Sequence, residues 1–268
     1  MIRSDPHPGL RTHVSDYCGY VEQSAAPLRR RELPTGEVVL VFSFGDPLRL
    51  LDSSDPAAPG TLLTSFVSGP YQSYALTESL GLQHGVQVTL TALGAYMLFG
   101  VPTRELTDRS LALEEVFGPE GGRLASRLHE APSWETRFDL LDVAFAARMA
   151  EAQPPSRGVA WAWARLRDTH GAIAVGGLAS DLGWSRRHFA ARFREQVGLT
   201  PKLTGRIFRF RRAIDLLEQP RNMQLADIAY ECGYYDQAHL NRDFREFAGG
   251  APTELVARRL PDGGGLAG

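Results

Sequence analysis

The stretches LASDLGWSRRHFAARFREQVGLTPK (178–202) and LADIAYECGYYDQAHLNRDFREFAGGAP (225–252) are one pattern written twice, and the repetition decides the fold of the chain's second half. Leu178-Ala179-Ser180-Asp181-Leu182-Gly183-Trp184 aligns with Ile228-Ala229-Tyr230-Glu231-Cys232-Gly233-Tyr234 at an offset of 50. One residue is inserted after the turn. At an offset of 51, Phe189 meets Leu240, Phe193-Arg194-Glu195 meets Phe244-Arg245-Glu246, Gly198 meets Gly249 and Pro201 meets Pro252. Self-similarity of this kind marks a duplicated supersecondary unit. Ala179 and Ala229 are small enough for two helices to approach closely. Gly183 and Gly233 supply the left-handed backbone that ends one helix and turns the chain. Trp184 and Tyr234 plug the turn, and Ser185 or Asp236 caps the helix that follows.

On that following helix Phe189 and Phe193, or Leu240 and Phe244, form the inward stripe. The outward face is then Arg186, Arg187 and Arg194 in the first unit, with Ser185 at its cap also expected to meet DNA. In the second it is Gln237, Asn241, Arg242 and Arg245. Side chains of these types are what major-groove readout and phosphate contact require. Between the units, residues 202–218 (KLTGRIFRFRRAIDLLE) read as one helix with Ile207, Phe210, Ala213 and Leu217 on its apolar side. A helix of that length spans roughly 25 Å, which would let two recognition helices enter successive major grooves about 34 Å apart. The competing expectation is a helical interaction protein whose polar faces only meet water.

The run 178–252, with RFRRAIDLL (209–217) between its two units, resembles the DNA-binding domain of AraC/XylS-type transcription regulators, over about a hundred residues from 157 to 257. The resemblance implies that both recognition helices face DNA, with Arg186, Arg187, Gln237, His239 and Arg242 where such proteins touch bases or backbone. Ala190 and Ala191 stand where longer polar side chains are frequent, so the first helix is expected to anchor and the second to read. Ala248-Gly249-Gly250 is a looser ending than usual for the second unit. The segments LPTGEVVLVFSFGDP (33–47) and LTALGAYMLFGVPTRELTDRSLALEEVFG (90–118) resemble the sensing domain of one poorly characterised subgroup of these regulators. That implies a cupin-like half-barrel followed by helices, used for effector binding or dimerisation.

Charge divides the chain in the same place. Residues 1–156 hold 12 Arg and 19 Asp/Glu, whereas residues 157–260 hold 17 Arg/Lys and 11 Asp/Glu. An acidic front and a basic back suggest a polyanion partner for the back alone. The sign changes at Gln153-Pro154-Pro155-Ser156-Arg157-Gly158, which reads as a linker. The expected organisation is a sensing or dimerisation domain over 1–152, a linker over 153–158, a DNA-binding domain over 159–257 and a flexible tail over 258–268. The fold class is α+β. Strands are expected at 37–44, 62–68, 74–77 and 82–90, with a short apolar helical turn at 94–99. Further helices are expected at 111–117, 120–130, 133–150 and 159–170.

Nothing in the front half carries enzyme chemistry. It has no nucleophile elbow, phosphate loop or dinucleotide fingerprint. His84 stands alone on a strand, with His7, His13 and His129 scattered, so no metal and no cofactor are expected. Cys18, between Tyr17 and Tyr20, reads as a packed small hydrophobe. Phe42, Phe44, Phe66, Tyr71 and Tyr74 either line a barrel interior that admits a small apolar or aromatic effector, or are core. The N-terminal residues lack an apolar leader, and Cys18 and Cys232 suit a reducing cytoplasm. The expected function is a sequence-specific transcription regulator. Its partners would be double-stranded DNA, a small-molecule effector, RNA polymerase and a second copy of the chain, with no membrane. The alternative is a ligand-binding or enzymatic front half with DNA binding secondary.

Overall fold

The protein is described by a computed structural model covering residues 1–219, 223–258 and 266–267. Its N-terminal part is an antiparallel sheet. The strands are β1 (Ile2–Ser4), β2 (Val14–Glu32), β3 (Val38–Ser43), β4 (Leu48–Leu51), β5 (Thr61–Leu63), β6 (Phe66–Ser68), β7 (Ala75–Leu90) and β8 (Ser110–Ala112). Their order is β1-β2-β7-β3-β6-β8, with β4 pairing both β5 and β7. The two long strands, β2 and β7, run the length of the sheet side by side, with an irregular register between Ser24 and Leu28. One half of β7 pairs β3 and the other half pairs β4.

Strand alternation gives the sheet two chemistries. Val38, Leu40 and Phe42 of β3 join Tyr17, Val86, Val88 and Leu90 in a core. They pack against α1 (Ala92–Phe99), α2 (Leu113–Phe117), α3 (Pro119–Glu130) and α4 (Trp134–Ala150). Phe138, Leu141, Phe145 and Met149 are the buried stripe of α4, as their spacing predicts. The alternate residues Val39, Val41 and Ser43 face the other way, into a cavity.

The C-terminal part is helical: α5 (Arg157–Asp168), α6 (Val175–Asp181), α7 (Arg186–Val197), α8 (Pro201–Leu217), α9 (Leu225–Glu231), α10 (Gln237–Ala248) and α11 (Pro252–Arg258). Two cores serve it. One holds Phe189 and Phe193 with Trp163, Leu166 and Leu178. The other holds Leu240, Phe244 and Phe247 with Ile207, Phe210 and Ile228. Ala92 and Leu93 of α1 belong to the first of these, so the N-terminal part supplies some of that core.

Several expected elements differ. The 19-residue β2 was not expected, and 74–77 with 82–90 form one strand, β7. Residues 62–68 split into β5 and β6 around a bend at Thr64-Ser65. Residues 110–112 are strand, and the expected helix at 111–117 begins only at Leu113. The second unit's ending is orderly, because Gly249 takes φ 69° and its N–H bonds the Arg245 carbonyl. Of the expected tail, 259–265 and 268 lie outside the described residues. Leu266–Ala267 form a short strand, β9, paired with Arg30 and Arg31. Among the described residues no helix is long and apolar enough to cross a membrane.

Candidate nucleic-acid interface and interdomain cavity

The two units fold alike down to single hydrogen bonds. The Trp184 N–H bonds the Ala179 carbonyl at 2.9 Å, and the Tyr234 N–H bonds the Ala229 carbonyl at 2.9 Å. Gly183 and Gly233 take φ of 66° and 74°. Ser185 Oγ accepts from the His188 N–H at 3.2 Å and Asp236 Oδ1 from the His239 N–H at 2.7 Å, capping α7 and α10. Each cap sets a histidine edge-on against the aromatic plug of its turn, His188 on Trp184 (4.9 Å) and His239 on Tyr234 (5.2 Å). The offset of 51 pairs those two histidines, so sequence register alone could have found His188.

Of the residues expected to meet DNA, Ser185, Arg186, Arg187 and Arg194 are exposed on α7, as are Gln237, Arg242 and Arg245 on α10. His239 and Asn241 are half-buried, and Asn241 Oδ1 is buried without a hydrogen-bond partner. Ala191 is exposed and Ala190 half-buried. The residue inserted in the second unit is Tyr235. It is 93% exposed beside the cap of α10, and Tyr230 on α9 is 87% exposed. Neither was singled out from sequence.

The second recognition helix is tied to the helix between the units. Arg206 of α8 donates to Asp243 Oδ1 from Nη2 at 2.7 Å and from Nε at 3.2 Å, and also to both carboxylate oxygens of Glu246. Hydrogen bonds from Arg206 to Glu246, and then those to Asp243, hold its guanidinium above the usual arginine range against the cost of burial.

Both recognition helices end on the N-terminal part. Thr103 Oγ1 donates to the Gln196 carbonyl at 2.8 Å and Thr107 Oγ1 to the Gly198 carbonyl at 2.9 Å, at the end of α7. Ser73 Oγ donates to the Glu246 carbonyl at 2.8 Å and Arg31 Nη1 to the Ala248 carbonyl at 2.9 Å, at the end of α10. These are the carbonyls a helix leaves without internal partners. Gln196 Oε1 also accepts from the Ser156 N–H at 3.0 Å, fastening the start of α5 to α7.

Between the second face of the sheet and α8 lies a cavity of about 630 Å³. Its walls include Val41, Leu63 and Phe66 from the sheet, Arg30 and Glu32 from β2, and Arg211 and Asp215 from α8. Of the expected ligand-facing aromatics, Phe66 and Tyr71 line it. Phe42 lies in the core on the opposite face. Phe44 packs edge-on to His84 and His129 near α3 and α4. Tyr74 lies under the Arg31 guanidinium at 5.0 Å, beside the end of α10. Burial raises the carboxyl groups of Glu32 and Glu37 above the ordinary range. Cys18 and Cys232 are buried, and burial raises both thiols, Cys232 to about 11, far from a reactive thiolate at neutral pH. Among the described residues no group of three or more His, Cys, Asp or Glu is placed to hold a metal ion.

Paired turn-and-helix units on a shared scaffold, each with an exposed basic and amide-bearing second helix, define a tandem helix-turn-helix DNA-binding module. Residues 178–258 match the family model described as a helix-turn-helix domain, and residues 2–112 match that of a domain of unknown function, DUF6597. The module is of the AraC type, and the chain is a DNA-binding transcription regulator with an α+β fold, an antiparallel sheet followed by a helical region. No curated protein matches it. Among solved structures it is similar to ToxT from Vibrio cholerae at 12% identity over 90% of this chain and 97% of that one, TM-score 0.49. It is also similar to wild-type ToxT with unsaturated fatty acid bound, at 11% over 94% and 96%, TM-score 0.49. The xylose-binding transcription activator XylR matches at 20% over 44% and 38%, TM-score 0.32.

Proposed function

We propose that the protein is an effector-responsive regulator of the cytoplasm and not an enzyme. Residues 1–152 would sense a small molecule and contribute to dimerisation, and residues 159–257, past a linker at 153–158, would bind double-stranded DNA. Ser185, Arg186, Arg187 and Arg194 meet it in the first unit, Gln237, His239, Asn241, Arg242 and Arg245 in the second. The first unit serves more as an electrostatic anchor and the second as the reader, with RNA polymerase a further partner. The observation that carries the effector part is the strand alternation at the end of β2. Arg30 and Glu32 line the cavity, while Arg31 between them holds the last carbonyl of α10, that of Ala248. An occupant that shifts β2 changes the grip on the second recognition helix, while Thr103 and Thr107 keep theirs on the first. The relative placement of the two helices, and so the population able to span a DNA site, then depends on the cavity.

The test is fluorescence anisotropy on the protein's own promoter region across a salt series. Binding that survives moderate salt on that DNA, but not on random DNA, supports the reading. Equal salt sensitivity on both would overturn it.

A further inference from the structure

Resting on the reading of the cavity as an effector site, we propose that its occupant is a small amphipathic cation, a primary amine on a short apolar or aromatic body, with the ammonium seated at Glu32. Three observations select this chemistry over the apolar effector that the aromatic residues alone suggest.

The wall is graded. In register across three strands, Arg30 of β2 faces Thr77 of β7, which faces Leu50 of β4, and all three line the cavity. Toward β4, β5 and β6 the wall is apolar, through Leu48, Leu50, Leu63 and Phe66. Toward the end of β2 it is polar, through Arg30, Glu32 and Thr77. A ligand that fills this space needs a hydrophobic end and a polar one, and a volume of about 630 Å³ is of the size that takes small organic molecules.

Two of the three arginines of the wall are held in ion pairs. Arg3 is paired with Asp16 and Arg30 with Glu22, and Arg211 acts on Glu37. An anionic ligand at the end of β2 would have to displace Glu22 from Arg30.

Glu32 is a wall carboxylate without an ion pair among the described residues. Its Oε1 accepts one hydrogen bond, from Thr77 Oγ1 at 3.2 Å. The residue is exposed, and it lines the cavity. Loss of solvation there penalises its charge by more than the nearby Arg30 and Thr77 relieve it. An ammonium group arriving with three N–H donors offsets that penalty where a neutral or anionic group cannot.

The experiment is calorimetric titration of the full chain with three probes sharing one body: 2-phenylethylamine, 2-phenylethanol and 3-phenylpropanoate. The amine is expected to bind most tightly, and Glu32→Gln to weaken it at least tenfold while leaving binding to promoter DNA intact. Tighter binding of the propanoate or the alcohol, or an unchanged amine affinity in Glu32→Gln, overturns the cation assignment and leaves the cavity as an effector site. Binding of none of the three at millimolar concentration overturns both. DNA binding measured on the same Glu32→Gln preparation reports that the variant is folded.

Discussion

Removing the guanidinium of Arg206 should destabilise the protein far more than an ordinary surface arginine would. Its partner Asp243 is 1% exposed, whereas Glu246 is about half exposed on its side-chain atoms. In Arg206→Met the aliphatic stem stays but Asp243 keeps a buried carboxylate with no cation. Breaking a buried pair from one side costs about 3–5 kcal/mol. Arg206 is itself 23% exposed on its side chain, which places the expected loss near the lower end, about 3 kcal/mol. Loss of the stacking of Arg206 over the Phe247 ring, at 4.8 Å, adds to it. At about 2–4 °C per kcal/mol for a chain of this size, the melting temperature should fall by roughly 6–12 °C. Urea unfolding followed by circular dichroism measures the free energy directly. Glu246→Gln should cost under about 1 kcal/mol, because that half of the network is solvated. Arg206→Met with Asp243→Leu, an apolar replacement of the whole pair, should recover most of the stability. A loss below about 1 kcal/mol for Arg206→Met, or a double variant as unstable as the single one, would refute the assignment of Asp243 as a charge held in place by Arg206.

Further outcomes follow from the interface and the cavity. Arg242→Ala should relax preference at one base position by about 1–3 kcal/mol, whereas Arg187→Ala should weaken all sites alike and flatten the salt slope by about one unit; binding to a set of single-base operator variants separates the two. Gly183→Ala meets nothing within 4 Å and still pays for φ 66°, so about 1 kcal/mol should be lost in thermal unfolding, and Gly183→Asn should cost less. The Glu32 carboxyl titrates above its unfolded value. The ligand-free protein is therefore favoured while Glu32 is protonated, and it loses stability as pH rises from about 4.3 through the raised value. Glu32→Gln abolishes that loss, so its advantage in melting temperature should be small at pH 4 and grow toward pH 7. Arg3 on β1, Asp16, Glu22 and Arg30 on β2, Glu37 before β3, Arg211 and Asp215 on α8 and Glu218 at its end are the other charged side chains of that space, and replacing those nearest Glu32 should move the pH at which the advantage appears.

The helical half was legible because its signals are local. A glycine before an aromatic fixes a turn, a Ser or Asp fixes the next helix start, and Phe189 with Phe193 fixes the inward face. The sheet was harder to read for reasons visible in particular residues. In β2 the run Ser24-Ala25-Ala26-Pro27 and the charged Arg29-Arg30-Arg31-Glu32 hide a strand held by pairing to β7, not by an apolar run of its own. Gly81 splits the apolar pattern of β7, so one strand reads as two. Alternation in β3 does tell that Phe42 shares a face with Val38 and Leu40. It does not tell which face meets the helices and which the cavity, since that depends on α1, α4 and α8 arriving from elsewhere in the chain. For the same reason Tyr74 could not be assigned to the end of α10, nor Glu32 to the cavity, from their neighbours in sequence. The inserted Tyr235 was visible as a shift of register, but its exposure was not.

The most direct test of the central claim, that both recognition helices engage DNA together, is a hydroxyl-radical footprint of the full chain on its promoter site. Two protected patches on one face of the duplex, about one helical turn apart, are the predicted result. The patch under the second helix should fade in Arg242→Ala, and the one under the first in Arg187→Ala. A single protected groove that disappears as a whole with either substitution would contradict the account.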